Sequence, residues 1–324
     1  LHGAGERGDD NRAQLGYLPE VLARAENRRR FPCYALAVQC PADDKWPVLR
    51  KLMADSSPLV RASVAEALGE RPDAFNLPAL IKATSDDYRL VRVRAASALA
   101  NLPEQSLPQG QRRPVTSAMA ELMESMRSRP DDMASHYNLG NFHMGRGQMA
   151  EAVTEFETAI RLQPDALPSY VNVALAYNAL GQNDKAEASL RRAISLDPTN
   201  AAAHLNLGML LAEVGKMSEA EQAFRVAFKA DPKSAQAAYN LGVLLAEDHP
   251  REALTWSRQA AELRPDNPHY GYTYAFYLYR AGRRDEALQA IRVVLQRSPA
   301  HEDSLMFKRQ LLQEQNQRRS DAKK

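Results

Sequence analysis

The chain has 324 residues, with 42 basic against 40 acidic side chains and a formal net charge of +2. It therefore lacks the basic footprint that phosphate backbones need, and nucleic acid is not an expected partner. Two cysteines, Cys33 and Cys40, and seven scattered histidines match no zinc-ribbon or haem-attachment spacing, so no metal or other cofactor is expected. No apolar run reaches membrane-spanning length and no signal peptide is visible, so no membrane partner is expected, and the compartment stays open.

Residues 1–46 stand apart from the rest. Leu1-His2-Gly3-Ala4-Gly5-Glu6-Arg7-Gly8, Asp10-Asn11, Leu18-Pro19 and Gln39-Cys40-Pro41 with Trp46 resemble the N-terminal part of bacterial esterases of the α/β-hydrolase class. That resemblance implies backbone amides at Gly3 and Ala4 contributing to an oxyanion hole. The likeness ends near Trp46, and no Gly-Xaa-Ser-Xaa-Gly elbow occurs anywhere in the chain. Without a nucleophile and its base, acyl transfer cannot run. The segment is read as an esterase remnant from a truncated or rearranged gene, poorly ordered or loosely packed, and the chain as a non-enzyme with no small-molecule substrate.

From 47 to 102 a period of 31 residues appears. Asp55-Ser56-Ser57-Pro58-Leu59-Val60-Arg61 returns as Asp86-Asp87-Tyr88-Arg89-Leu90-Val91-Arg92, and Ala65 and Leu68 return as Ala96 and Leu99. Val-Arg followed by alanines is similar to the HEAT-type helical repeat and implies two helix pairs, 47–72 and 73–102. Their arginines, Arg61, Arg89, Arg92 and Arg94, are expected to solvate or to pair across repeats. Residues 103–113 lack apolar periodicity and read as a linker. A helix over 115–128 follows, with Met119, Leu122, Met123 and Met126 on one face. It is read as a capping half-repeat that completes a 103–132 segment, its methionines core rather than an adaptable binding surface.

Pro164, Pro198, Pro232, Pro265 and Pro299 recur at intervals of 34, 34, 33 and 34 residues. They close five segments over 133–301, each a unit that must stack on its neighbours to bury its apolar face. Small residues recur where paired helices approach: Gly140, Ala174, Gly208, Gly242 and Ala275 in the first helix, Ala152, Ala186, Ala220, Ala253 and Ala287 in the second. Gly147, Gly181, Gly215 and Gly282 supply the left-handed residue that ends a helix tightly. The fourth unit is one residue short and reads Glu247-Asp248-His249-Pro250 at its turn, which predicts a tighter hairpin. This pattern resembles the tetratricopeptide repeat. Residues 302–324 then form a capping helix over 303–317, with Leu305, Met306, Leu311 and Leu312 inward, and a disordered tail from Arg318. The fold class is all-α, a right-handed α-solenoid behind a short non-solenoid segment.

The tetratricopeptide resemblance implies a concave groove lined by positions 2, 5, 6, 9, 12 and 13 of each first helix. Position 6 holds Asn138, Asn172, Asn206 and Asn240, with Thr273 in the fifth unit. An amide offers donor and acceptor together, so such a row suits an extended peptide's main chain, and it is similar to the asparagine ladder of O-linked N-acetylglucosamine transferase. The alternative, that asparagine serves local hydrogen bonding within the repeat consensus, stands beside it.

Position 5 adds Tyr137, Val171, Leu205, Tyr239 and Tyr272, and position 9 adds Asn141, Leu175, Met209, Val243 and Phe276. The groove is therefore expected to be apolar, with Tyr272, Phe276 and Tyr279 as an aromatic end. Those rings can anchor a partner or pack under the capping helix. Asn141 and Asn172 match two asparagines of chaperone-tail grooves, but Ala134 and Tyr137 stand where basic residues belong, so no chaperone-tail binding is expected. The charge of the five units, 17 basic against 18 acidic, again points to protein as partner.

The expected function is a non-enzymatic scaffold binding an extended peptide or partner protein in this groove. An alternative comes from the order of repeats and the Tyr-Gly-Tyr-Thr-Tyr-Ala start of the last unit, Tyr270–Ala275. These look like the C-terminal tail of bacterial multihaem cytochromes, which implies a docking tail without its haem domain.

Overall fold

The computed structural model describes residues 46–69, 73–100, 102, 107 and 109–321. Residues 1–45 of the segment read above as an esterase remnant, with Gly3, Ala4, Cys33 and Cys40, lie outside them. Among the described residues there are sixteen α-helices and no strand, and each helix packs on helices one or two places along in sequence, the arrangement of an α-solenoid. The chain divides into two compact units, Leu1–Leu162 and Gln163–Lys324.

The first unit contains α1 (Trp46–Leu52), α2 (Pro58–Gly69), α3 (Leu77–Ala83), α4 (Arg89–Leu99), α5 (Arg112–Arg127), α6 (Met133–Gly145) and α7 (Met149–Leu162). Its core joins Ala65, Leu68, Leu80, Val91, Ala96, Leu99, Val115, Ala118 and Leu122, all buried. The repeated Val-Arg motif has a defined role here. Arg61 forks onto Asp86 through Nε at 2.7 Å and Nη2 at 2.9 Å, while its Nη1 donates to the Asp55 carbonyl at 2.6 Å. Arg92, one period later, repeats this with Glu121 at 3.0 Å and the Asp86 carbonyl at 2.8 Å. Each arginine thus closes its own turn and ties its unit to the next, and the expected pairing across repeats is present.

α5 starts at Arg112, behind a 3-10 turn at Gln109–Gln111, so the chain coils before the end of the stretch read as linker. Met119 is buried, and Met123 and Met126 pack against the core. The methionine face is core.

The second unit contains α8 (Leu167–Ala179), α9 (Asn183–Leu196), α10 (Ala201–Glu213), α11 (Met217–Ala230), α12 (Ala235–Leu244), α13 (Pro250–Leu263), α14 (Pro268–Arg280), α15 (Arg284–Arg297) and α16 (Glu302–Asp321). Starts and stops follow local chemistry. Asn200, Ser234 and Asn267 accept backbone N–H bonds as N-caps. Gly181, Gly215 and Gly282 have φ of 72°, 81° and 77°. Each ends its helix with paired bonds, as where Gly181 N–H donates to Asn178 and Gln182 N–H to Tyr177.

The fourth repeat has no such glycine. α12 stops after 10 residues, where α8, α10 and α14 run for 13. The chain turns at 245–248 without any left-handed residue, closed by His249 N–H onto the Leu245 carbonyl at 2.8 Å. Leu245 and Ala246 are buried against Ala253, Trp256 and Tyr277.

The capping helix departs from expectation in two ways. It runs on to Asp321 rather than ending at 317, so Arg318 to Asp321 are helical. Its inward line is Ser304, Phe307 and Leu311, with Leu305 and Leu312 half-buried, whereas Met306 is 59% exposed. One residue turns a helix by roughly 100°, and the aromatic side chain wins the inward position because three rings of α14 await it.

Candidate functional site

The first helices of the second unit, α8, α10, α12 and α14, each carry one exposed apolar side chain at the same repeat position. Leu175, Met209, Val243 and Phe276 are 38%, 41%, 46% and 38% exposed. On helices whose other large apolar groups are mostly buried, a side chain left out once per repeat forms a stripe. The Gln236 amide donates to the Met209 sulfur at 3.4 Å, so the stripe has a polar edge. Toward the C-terminal ends of these helices, Asn178 donates to Glu213 at 3.0 Å, and Arg280 pairs with Glu247 at 2.8 Å. These bonds hold successive first helices in register.

Beside the stripe lies the asparagine row. Asn172, Asn206 and Asn240 are all half-buried, as is Thr273. The Asn240 amide nitrogen is buried and has no hydrogen-bond partner among the described residues. Leaving such a donor unsatisfied costs about 1–3 kcal/mol. Tyr239 stacks at 4.9 Å on Tyr270 of the next repeat, and burial pushes the Tyr270 phenol above its ordinary range.

The aromatic end takes the packing role. Phe307 of α16 sits 5.7 Å from the Tyr272 ring, 6.3 Å from Phe276 and 5.5 Å from Tyr279. The Tyr279 hydroxyl donates to Glu314 at 2.8 Å, and the Arg284 guanidinium lies 5.4 Å from the centre of its ring. Burial raises the Tyr272 phenol. Tyr272 and Tyr279 are half-buried against the cap, and of the three only Phe276 is exposed. Three rings facing one direction need a hydrophobic partner, and Phe307 supplies it.

Tyr137, Asn138 and Asn141 belong to the first unit. The Tyr137 ring leans on buried Phe156, with centroids 6.0 Å apart. Asn138 and Asn141 line a cavity of about 730 Å³ between α4, α5 and α6, which also receives Arg94, Ser97, Ser125 and Arg129 over an apolar floor that includes Leu90 and Phe142. Sequence reasoning missed this site. Its signal was a break in the period, because Arg94 stands where the preceding HEAT unit has Ser63, 31 residues earlier.

Among the described residues no group of three or more His, Cys, Asp or Glu side chains is placed to hold a metal. No described helix is long and apolar enough to cross a membrane.

Comparison with known families matches HEAT repeats over residues 22–133, a span that includes part of the segment set apart above. Tetratricopeptide repeats match over 134–166, 174–215 and 211–268. The chain thus carries both repeat types, and the families matched are repeat families. No curated protein sequence matches significantly.

Among solved structures, PilF of Pseudomonas aeruginosa aligns with a TM-score of 0.52 and 21% identity, over 61% of this chain and 90% of its own. That similarity supports the fold. The MamA protein of Desulfovibrio magneticus RS-1 aligns at 0.46 and 18%, over 52% of this chain and 96% of its own. YrrB, described as a tetratricopeptide protein with an unusual peptide-binding site, aligns at 0.45 and 19%, over 57% of this chain and 96% of its own.

Proposed function

We propose that the chain is a scaffold that binds an extended peptide segment of a partner protein along the first helices of the second unit. Tetratricopeptide repeats are, as a class, protein-interaction scaffolds. The observation that carries the finer reading is the exposed apolar stripe beside a row of half-buried asparagines, one per repeat. The half-buried amides of Asn172, Asn206 and Asn240 would offer polar partners to the peptide main chain along the row, while side chains of the peptide rest on Leu175, Met209 and Val243. Main-chain bonds would give affinity and the stripe a preference for apolar side chains, in the manner of other extended-peptide sites.

The test is selection of phage-displayed random dodecapeptides on the full chain, followed by rebinding of the selected peptides to two variants. Asn206→Ala/Asn240→Ala should lose about tenfold in affinity or more, the equivalent of one or two hydrogen bonds, with helicity unchanged. Met209→Glu should weaken apolar peptides further. Selected peptides that bind all three proteins equally would defeat the reading.

A further inference from the structure

We propose that the first unit holds a second, separate binding site, the cavity between α4, α5 and α6, and that it takes a peptide bearing acidic side chains. The cavity's volume, about 730 Å³, lies within the range of ligand-binding pockets. Its lining brings in two guanidinium groups, Arg94 from α4 and Arg129 from the turn after α5, and no carboxylate. Guanidinium groups fork onto carboxylates with two parallel hydrogen bonds.

Of the acids nearby, Asp132 lies close enough to Arg129 for their charges to interact, but its carboxylate caps α6 by accepting from the Ser135 N–H at 2.9 Å and hydroxyl at 2.7 Å. On α5, Glu121 is held by Arg92 at 3.0 Å and Glu124 by Arg89 at 3.0 Å. Arg94 pairs with Glu66 across the surface, at 3.3 Å with both side chains about half exposed. Such an exposed pair contributes little and is readily exchanged for a carboxylate of a ligand.

The rest of the lining fits a peptide rather than a free ion. Asn138 offers an exposed amide, Ser125 an exposed hydroxyl, and Leu90, 44% exposed, forms with Phe142 an apolar floor. An acidic side chain reaching the arginines would set the neighbouring apolar side chain on that floor. The HEAT pattern does not account for Arg94. Arg61 and Arg92 are the structural arginines of the repeat, whereas Arg94 is placed on the cavity wall.

The experiment measures binding to the full chain by fluorescence anisotropy, with a labelled octapeptide of alternating glutamate and leucine. Its glutamine counterpart and its phosphoserine counterpart are run alongside. The glutamate peptide should bind at least tenfold tighter than the glutamine peptide, and its affinity should fall as salt rises. Arg94→Gln/Arg129→Gln should remove that advantage.

Ser125→Glu, on an exposed position that leaves the core untouched, should weaken the glutamate peptide by about tenfold through repulsion, the scale of one charge-assisted bond. Asn206→Ala/Asn240→Ala, in the other unit, should leave it unchanged, which separates this site from the peptide face proposed above. Equal binding of glutamate and glutamine peptides, or undiminished binding by both cavity variants, would overturn the proposal. Phosphoserine binding more than tenfold tighter than glutamate would overturn the assignment to a carboxylate.

Discussion

Gly208→Ala tests how the paired helices of a repeat are fitted together. A β-carbon at 208 would stand 2.6 Å from Cδ1 and Cε1 of Phe224, a ring only 2% exposed. Carbon atoms settle at about 3.5–4.0 Å, so the ring or a helix must give by about 1 Å, and overpacking of that kind costs about 1–3 kcal/mol. Alanine returns about 1 kcal/mol of helix propensity, which leaves a net loss of about 0–2 kcal/mol.

The sharper quantity is the coupling with Phe224→Leu. Two of the three repeats with glycine at this position have phenylalanine sixteen residues on, Gly140 with Phe156 and Gly208 with Phe224, whereas Gly242 of the shortened fourth repeat meets the backbone of Ser257, and Ala174 and Ala275 have Leu190 and Ile291 sixteen residues on. Phe224→Leu alone opens a void, on the order of 1–2 kcal/mol, and the alanine methyl fills it. The double variant should therefore be more stable than the sum of the singles by about 1–3 kcal/mol. Guanidinium midpoints from far-UV circular dichroism on the four proteins measure this. Additivity within about 0.5 kcal/mol would refute the argument.

Three further outcomes follow from the packing. Ser169 is fully buried with a hydroxyl that has no partner among the described residues, where the next repeats have buried Ala203 and Ala237, so Ser169→Ala should stabilise by about 1 kcal/mol in thermal denaturation; a loss would mean that the hydroxyl is bonded. Asp86→Asn leaves Arg61 without its carboxylate at a site where both side chains are less than 15% exposed, and should cost about 3 kcal/mol. The Arg61 guanidinium bond also holds the Asp86 carboxyl below its usual range. A lowered folded-state pKa stabilises in full above the unfolded value near 4 and is lost as pH falls through the folded value. Below about pH 4 the parent should therefore lose stability more steeply than Asp86→Asn. Phe307→Ala removes the ring that α14 packs against, worth about 3–5 kcal/mol in a core; hydrogen exchange should show α16 unprotected while α8 to α11 keep their protection, and intact protection of α16 would refute its role.

Most of the fold was legible because the repeats state their constraints more than once. Four glycines at the same place in four hairpins mark one backbone conformation, and all four have positive φ. The alanines of the second helices mark one close approach, and Ala152, Ala186, Ala220, Ala253 and Ala287 are all at most 1% exposed. Non-repeating segments offered no such averaging. At the C-terminal cap, Met306 and Phe307 are both apolar neighbours, and only the three rings of α14 decide which of them turns inward.

The same logic explains why the candidate sites were only half visible. A position filled alike in each unit, such as the exposed row at 175, 209, 243 and 276, can be read from the period, because every unit meets a similar neighbour. A cavity wall assembled from α4, α5 and α6 joins two repeat types whose periods differ, so no single register brings Arg94 and Arg129 together. The informative residue there is the one that breaks its own repeat: Val-Arg at 60–61 and 91–92 is structural in both units, and Arg94 in place of Ser63 is the addition. In a chain whose repeats account for their own packing, a charged residue that the repeat does not require is the place to test for a partner.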